Sequence, residues 1–338
     1  MPIDAGFREI FVGDAVPMVE IWRGGMPESL HRGHAIICDH SGTVIQAWGD
    51  PEKTIFPRSA CKMLQALPLL ESGAARAAAL GSEQLALACA SHDGALIHTE
   101  KVEHWLTAIG KSDVDLRCGA HAPAAAEDRF RLHDAGVRPC QIHNNCSGKH
   151  TGFLTLAKHL RAGAEYVEVD HPVQQAVKLS FEEMTGEASK GIGIDGCSAP
   201  NFATSMTGFA RALAKMARPN GLGKSRELAA RTLVDAMLEH PLLVEGVGKA
   251  CSELMAAMDG VAVKNGAEGV YAAILPKQGI GVAIKIEDGA SRAAEAAIAA
   301  VLIKLGVLDA NHPSAKKRVN TIQKNWRGLE VGTVVAAF

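Results

Sequence analysis

Residues 57–69 read PRSACKMLQALPL, and the character of the chain changes at this stretch. Before it, between residues 17 and 47, short apolar and β-branched runs are separated by glycine and other turn residues, as is typical of β-strands. After it, as far as about Met258, apolar residues recur at helical spacing. Ser59 and Lys62 lie three positions apart at this junction, so a helix that begins here would place both side chains on one face.

A second change of character follows Met258. Three short runs bounded by glycine predict strands, and the tight turns between them predict an antiparallel meander followed by a last, alanine-rich helix at residues 291–306. We therefore expect one α/β domain over residues 1–338. Residues 1–56 and 259–338 would form an antiparallel-sheet lobe flanked by helices, and residues 57–258 a mainly helical lobe. Clefts between lobes are common places for binding sites.

Composition argues against several classes of protein. The net charge of the 338 residues is −2 and only 4% are aromatic, so we expect no nucleic-acid groove. No run of about 18 apolar residues predicts a membrane span. Residues 1–17 mix charges without an apolar core, so we expect no secretory signal. The eight cysteines are then expected to be thiols in a cytoplasmic protein.

The Ser-x-x-Lys pair is followed by two further elements in an informative order. ASHDG supplies Ser91, and VAVKNGAEG supplies Lys264 and Gly266 at the end of a predicted strand. This order is that of the penicillin-recognising serine enzymes. Ser59 would attack a carbonyl, a neutral Lys62 would take its proton, and Ser91 would relay protons. Lys264 would supply a second positive charge, and Gly266 would let a backbone amide approach the oxyanion.

A second group of reactive side chains occurs in HNNCSGKHTGF and GIDGCSAPNF. Cys146, Lys149 and His150 lie at a predicted helix start, and Asp195 and Cys197 lie in a glycine-rich loop. Two thiols with nearby histidine and aspartate are compatible with zinc, although the spacing matches no zinc finger. Cys146 beside a helix N-terminus and a lysine is also compatible with a low-pKa nucleophile. Buried, inert cysteines are the third alternative.

Other polar residues carry weaker signals. Cys61 lies between Ser59 and Lys62 and would point to another face of the helix, so we interpret it as a packing residue. A cluster near the N-terminus is compatible either with an ion-pair network or with the edge of a site. Its members are Glu20, Glu28, His31 and Arg32.

Six motifs together resemble one family. PRSACKMLQALPL, ASHDG, LRCGAHAP, NNCSGKHTGFL, IDGCSAPNF and VAVKNGAEGVYAAILP occur in the order seen in the L-asparaginase II family, the rhizobial, thermolabile-type asparaginases. The resemblance runs from ESLHRGHAI to AIKIEDG. It implies a fold like that of serine β-lactamases, penicillin-binding proteins and glutaminases. It also implies a homodimer that hydrolyses L-asparagine to L-aspartate and ammonia.

The resemblance also implies roles for individual residues. It assigns Ser59 as nucleophile, Lys62 as its partner, and Ser91 and Lys264 as the second serine and lysine. A zinc ion would be held by Cys146, Lys149 and Cys197, with His150 and Asp195 beside it. We expect Asp195 to contact the α-amino group of the substrate, and His150 and Gly266 to complete the substrate site.

Several alternative functions remain open at the level of sequence. The first is a glutaminase or a serine amidohydrolase acting on β-lactam-like substrates. The second is an amidohydrolase that depends on zinc hydroxide or on Cys146. The third is a binding protein that uses the same scaffold without catalysis.

Overall fold

The structure is a computed structural model that describes residues 13–338. The first twelve residues, which carry most of the expectation about a secretory signal and the start of the predicted sheet lobe, lie outside the described residues. Within residues 13–338 the strands are β1 (Val16–Arg23), β2 (Met26–Asp39), β3 (Val44–Trp48), β4 (Thr54–Ile55), β5 (Ile192–Ile194), β6 (Pro200–Phe202), β7 (Thr204–Ser205), β8 (Ala262–Asn265), β9 (Val270–Leu275), β10 (Ile280–Ile286), β11 (Thr321–Lys324) and β12 (Glu330–Ala336).

The helices lie mainly between β4 and β8. In the described part of the chain they are α1 (Lys62–Gln65), α2 (Leu67–Glu71), α3 (Ala74–Ala77), α4 (Ser82–Ala88), α5 (Leu96–Ala108), α6 (Ala126–Asp134), α7 (Ser147–His159), α8 (Pro172–Thr185), α9 (Met206–Ala217), α10 (Lys224–Glu239), α11 (Pro241–Val244), α12 (Ala250–Ala257), α13 (Ser291–Lys304) and α14 (Pro313–Lys316). Helix α8 shows why such segments are predictable. Pro172 occupies its first turn, and Gly186 ends it with a positive φ of 73°.

Both β-rich segments of the sequence enter one antiparallel sheet. Its strand order is β11-β12-β1-β2-β10-β9-β8, and β3 pairs with β2 beyond the end of β1. The junction between the two segments is the β2–β10 pair, in which Ile36 lies opposite Ala283. Strands β8, β9 and β10 form the predicted meander. The predicted α/β class with an antiparallel sheet and a large helical region is therefore confirmed.

Helices pack on the sheet closely enough to bury its central strands. Helix α9 contacts β2, β9 and β10, and α13 contacts β1, β9, β10 and β12. Gly281 permits the approach of α9, because a Cβ at this position would lie 2.2 Å from the backbone nitrogen of Ala214. The second half of β2, from Gly33 to Cys38, is buried accordingly. Strand β8 pairs with β9 at the edge of this sheet, and its end contributes to the candidate site.

The chain contains sheet structure that the sequence analysis missed. The helix α13 is not the last element, because β11 and β12 follow it and β12 pairs with β1. Two small strand pairs, β4–β7 and β5–β6, also interrupt the helical region. The loop that connects β5 and β6 carries Asp195 and Cys197, two residues of the predicted site.

Two general expectations can be compared with the described residues. None of the helices between residues 13 and 338 is both long and apolar enough to cross a membrane. The eight cysteines are all free thiols, and seven of them are buried.

Candidate active site

Ser59 lies in a strained turn at the start of the helical region. The turn is a 3₁₀ helix, Arg58–Cys61, that continues directly into α1. Arg58 has a φ of 52°, a left-handed conformation that is unfavourable for a residue with a side chain. Its guanidinium is held by Asp195 Oδ1, at 3.1 Å from Nε and 2.7 Å from Nη2. The ion pair therefore ties the turn that carries Ser59 to the β5–β6 loop.

Ser91 lies between two buried lysines. Its Oγ accepts a hydrogen bond from Lys62 Nζ at 3.0 Å and one from Lys264 Nζ at 2.9 Å. Lys62 is only 1% exposed and Lys264 is not exposed at all. The Ser91 hydroxyl thus connects two ammonium groups that approach from opposite sides of the site, one from α1 and one from the end of β8.

Lys62 does not contact the hydroxyl of Ser59. Its Nζ donates to Ala90 O, to Ser91 Oγ and, at 3.2 Å, to Cys146 Sγ, which uses all three donors of an ammonium group. Within residues 13–338, Ser59 Oγ has no hydrogen-bond partner, and the residue is half-buried. The sequence-based expectation of a direct Ser59–Lys62 pair is therefore corrected: the lysine is paired with Ser91.

The pKa of Lys264 is shifted toward neutral pH. Its pKa is lowered to about 8, mainly by burial and also by the nearby Lys62, whereas Cys251 and Glu245 partly oppose the shift. A lysine with such a pKa loses its proton much more easily than an exposed one. This is the property that a proton-transfer group needs near neutral pH.

Gly266 brings the end of β8 against the turn that carries Ser59. A Cβ at Gly266 would lie 2.7 Å from Pro57 O and 3.1 Å from Ala60 N, so the strand and the turn are in backbone contact. The N–H of Gly266 itself donates to Val270 O at 2.8 Å within the hairpin. An oxyanion donor from this strand is therefore not the amide of Gly266, whose role is close approach.

Cys146, Cys197 and Lys149 come together beneath this site. Lys149 Nζ donates to Cys197 Sγ at 3.2 Å, and all three residues are at least 95% buried. The hydrogen bond with Cys146 holds the pKa of Cys197 well below its ordinary value, and Lys149 and His150 act in the same direction. The same hydrogen bond raises the pKa of Cys146. Cys197 is therefore the more acidic of the two thiols, and it lies against the amine of Lys149.

His150 and Asp195 occupy different positions relative to this group. His150 is fully buried, and its Nδ1 bonds Tyr166 OH at 2.9 Å. Its Nε2 has no hydrogen-bond partner in the described structure, although the ring is close enough to Cys197 to lower the pKa of that thiol. Asp195 is nearer the surface, with its side chain 17% exposed. Direct substrate contact by either residue stays a prediction.

The donor set is compatible with a metal ion only if lysine takes part. Among residues 13–338, no three His, Cys, Asp or Glu side chains form a metal-binding group. Two thiols, the amine of Lys149 and the unpartnered His150 Nε2 are nevertheless nitrogen and sulfur donors of the kind that zinc prefers. Burial lowers the pKa of Lys149, but Cys197 and Cys146 raise it above its ordinary value overall. Metal binding would have to displace this tightly held proton.

The sequence analysis gave no role to several residues that build the site. Arg58 bonds the predicted site residue Asp195, Asn265 accepts from Lys264, and Glu245 accepts from Asn265. Arg58 directly precedes Ser59, and Asn265 directly follows Lys264, so adjacency was an available signal for both. Glu245 reaches the site from a loop after α11 and has no local motif that marks it.

The weaker sequence signals belong to the scaffold. Cys61 Sγ bonds Arg58 O at 3.2 Å, and burial raises the pKa of this thiol to about 12, in agreement with a packing role. The N-terminal cluster forms separate contacts along β1 and β2 rather than one network: Glu20 with Trp22, Glu28 with Arg23, His31 with Asp288 and Arg292, and Arg32 with the carbonyl of Ala15.

Comparison with known proteins decides the family. The sequence profile described as L-asparaginase II matches residues 19–336, nearly the whole chain. The chain belongs to the L-asparaginase II family. Membership in this family supports an amidohydrolase that acts on a small-molecule amide. A search of proteins with curated descriptions found no significant match.

The solved structures similar to this chain are distant. The native form of a protein named Mglu is 14% identical, with a TM-score of 0.46, over 87% of this chain and 69% of the Mglu chain. A β-lactamase from Mycobacterium bovis is 15% identical, with a TM-score of 0.40, over 80% of this chain and 94% of its own. At these values the likenesses are too weak to bear on substrate or chemistry.

Proposed function

We propose that this family member is an L-asparaginase that hydrolyses the side-chain amide of L-asparagine through an ester on Ser59. The observation that carries the proposal is the position of Ser91 Oγ, which accepts hydrogen bonds from both Lys62 Nζ and Lys264 Nζ. The hydroxyl of Ser59, three residues before Lys62, is half-buried and has no hydrogen-bond partner in the described structure. Such a serine–lysine system can activate a hydroxyl without histidine.

The proposed reaction has two stages. Ser59 Oγ attacks the amide carbon, its proton passes through Ser91 to the lysine pair, and the C–N bond breaks as the relay protonates the leaving ammonia. Water then attacks the carbonyl of the β-aspartyl ester and gives its proton to the same relay. The bond to Ser59 Oγ breaks as the relay returns this proton to Oγ, which releases L-aspartate and regenerates Ser59. The pKa of Lys264, near 8, lets part of the enzyme hold this lysine neutral at physiological pH.

Backbone amides at the start of the 3₁₀ turn are the proposed oxyanion donors. The first N–H groups of a helical turn lack intrahelical acceptors, and that of Ser59 is adjacent to the reacting oxygen. Removing one such donor from an oxyanion site costs about 2.7–4 kcal/mol of transition-state stabilisation. The contact of Gly266 with Pro57 and Ala60 fixes the position of the turn.

Substrate orientation is proposed to involve the β5–β6 loop. Asp195 keeps one carboxylate oxygen on Arg58 and on the amide of Gly196, and its partly exposed carboxylate is suited to the α-ammonium group of asparagine. His150 is too deeply buried for a large contact area with substrate and would act there through Cys197.

We also propose zinc as a cofactor, held by Cys146, Lys149 and Cys197 with His150 beside it. The support is the meeting of two thiols and an amine next to an unpartnered imidazole nitrogen. When bound, zinc would supply a fixed positive charge that orients the substrate. Metal analysis of protein prepared without chelators should give about one zinc per chain, and Cys197→Ala should lose it. Metal-free wild-type protein after incubation with zinc would contradict the proposal.

A comparison of amides and of two nucleophile variants tests the function. Wild-type protein should release ammonia from L-asparagine faster than from L-glutamine and should not open nitrocefin. Ser59→Ala should abolish release, and Ser59→Cys is the matched variant that retains a nucleophile. If Ser59→Ala stays active while Cys146→Ala is dead, the nucleophile is wrong. Binding of asparagine without ammonia release would indicate the non-catalytic alternative.

Assembly and location are proposals of the same kind. We propose a homodimer on the basis of the family resemblance, with sedimentation of the purified full-length chain as the measurement. We propose a cytoplasmic location because eight free thiols suit a reducing compartment, and cell fractionation would test it.

A further inference from the structure

Two of the three hydrogen-bond donors of Lys264 Nζ bond Asn265, and the third bonds Ser91. Its Nζ donates to Ser91 Oγ at 2.9 Å, to Asn265 O at 2.8 Å and to Asn265 Oδ1 at 2.5 Å. An ammonium group has three donors, so two of them are held by Asn265 and the third points at Ser91. The orientation of the lysine head group toward the relay serine is therefore set by its neighbour in sequence.

The contact between Lys264 and Asn265 requires a special backbone position. Successive residues of a strand direct their side chains to opposite faces of the sheet, so neighbours do not normally touch. Asn265 is the last residue of β8 and is followed by Gly266, where the chain turns against the Ser59 turn. The end of the strand allows the amide of Asn265 to fold back onto Lys264.

Glu245 fixes which way the amide of Asn265 points. Asn265 Nδ2 donates to Glu245 Oε1 at 2.7 Å, and the other carboxylate oxygen accepts from the backbone N–H of Cys251 at 2.7 Å. An ionised carboxylate only accepts hydrogen bonds and an ammonium group only donates them. The two partners therefore require the same orientation of the amide, with oxygen toward Lys264 and nitrogen toward Glu245.

We infer that Glu245 and Asn265 are positioning residues that hold Lys264 Nζ against Ser91 Oγ. Neither side chain has a hydrogen bond to Ser59 in the described structure, and both act through the lysine. The inference rests on the proposed function in that Lys264 belongs to the proton relay. If the inference holds, Glu245, in the loop after α11, is one of the residues that determine the rate, although that loop carries no recognisable motif.

Loss of either Glu245 or Asn265 should change the pKa of Lys264 in one direction. Glu245 and the Asn265 oxygen both stabilise the charged form of Lys264, so removing either lowers the pKa of this lysine. The other titratable groups that face Lys264 come from the packed elements around it and are left unchanged: Lys62 from α1, Cys89 after α4, Cys146 before α7 and Cys251 from α12.

Variants of the two residues test the inference in the full-length protein. Asn265→Ala removes the side-chain contact of Lys264 with Asn265 Oδ1 and keeps the contact with the backbone carbonyl. We expect kcat to fall on the order of 10²-fold with KM changed by less than about threefold. Glu245→Gln keeps an acceptor for Asn265 but removes the charge, so a smaller loss of kcat is expected. In both variants the pH profile of kcat/KM should move to lower pH. The double variant should be no worse than Asn265→Ala alone.

The control is a carboxylate that supports the same helix without reaching the site. Glu253, on α12, pairs with Arg318 at 2.7 Å and with Lys317 at 2.8 Å. Glu253→Gln should lower the melting temperature and leave the pH profile unchanged. If Asn265→Ala and Glu245→Gln behave in the same way, the two residues are merely structural and the inference is overturned.

A titration that needs no activity separates this inference from the proposed function. The side-chain resonances of Lys264 in lysine-labelled protein, assigned with Lys264→Arg, report its pKa directly. A lower pKa in Asn265→Ala and Glu245→Gln supports the positioning role even if the wild-type protein hydrolyses no amide. An unchanged pKa in both variants overturns the role even if L-asparagine is the substrate.

Discussion

Replacing Gly266 by alanine should separate the strand end from the Ser59 turn. The added Cβ would lie 2.7 Å from Pro57 O, below the ordinary contact range of 3.4–4 Å, and 3.1 Å from both Ala60 N and Ala60 Cβ. These neighbours are mainly backbone atoms and cannot rotate away, so the turn has to retreat by roughly 0.7 Å. Displacements near 1 Å cost on the order of 10²-fold in rate, and overpacking costs about 1–3 kcal/mol of stability.

The assay is ammonia release from L-asparagine as a function of substrate concentration, together with urea unfolding of the same preparations. Gly152→Ala is the matched control. Its Cβ would meet nothing closer than 3.5 Å, inside helix α7, so it should gain about 0.5–1 kcal/mol of stability at unchanged kcat/KM. A Gly266→Ala protein with wild-type kcat/KM would refute the reasoning that close approach of this strand sets the geometry of the turn.

Three further predictions concern charge and packing around the site. The pKa of Lys264 is about 8 in the folded protein against an ordinary 10.5, so the unfolded chain binds more protons between these values. As the pH is raised from about 8 to 10.5, the free energy of unfolding of the wild type should therefore rise relative to that of Lys264→Met, by up to about 3 kcal/mol. The measurement is urea unfolding of both proteins, and a difference in unfolding free energy that does not change with pH would contradict the pKa shift. Arg58→Ala and Asp195→Asn should show a coupling of about 1–3 kcal/mol in a double-mutant cycle of unfolding free energies, whereas additive effects would mean that the ion pair does not support the turn. Cys61→Ala should keep kcat within about threefold of wild type, since among residues 13–338 its thiol bonds only Arg58 O, and a dead variant would give Cys61 a chemical role.

The elements that could be predicted from sequence are those whose signal is local. Pro172 and Gly186 indicate the two ends of helix α8, and glycine-bounded apolar runs indicate the β8–β10 meander. Strand β12 could not be found in this way. Most of its residues are only half-buried, and its partner β1 lies about 310 residues earlier in the chain, so long-range pairing rather than local pattern creates it.

In the candidate site, too, local sequence signals predict some features and tertiary packing determines the others. Residue types in a family order predict Ser59, Lys62, Ser91 and Lys264 as a group, and the structure joins Lys62, Ser91 and Lys264 by hydrogen bonds. Which of these residues bond one another depends on the acceptors that the fold brings to each donor. All three donors of Lys62 Nζ bond groups other than Ser59. Glu245 depends on tertiary packing, because its hydrogen bond toward the proposed relay is with the side-chain amide of Asn265, on another element.

The most direct test of the central claim is to trap the acyl group. Wild-type protein mixed with L-asparagine, quenched in acid within milliseconds and digested, should yield a β-aspartyl adduct on the peptide that contains Ser59. The adduct should reach a stoichiometric level in a variant with slow deacylation and be missing in Ser59→Ala. An adduct located on Cys146, or rapid turnover with no adduct on any residue at any quench time, would contradict a covalent mechanism through Ser59.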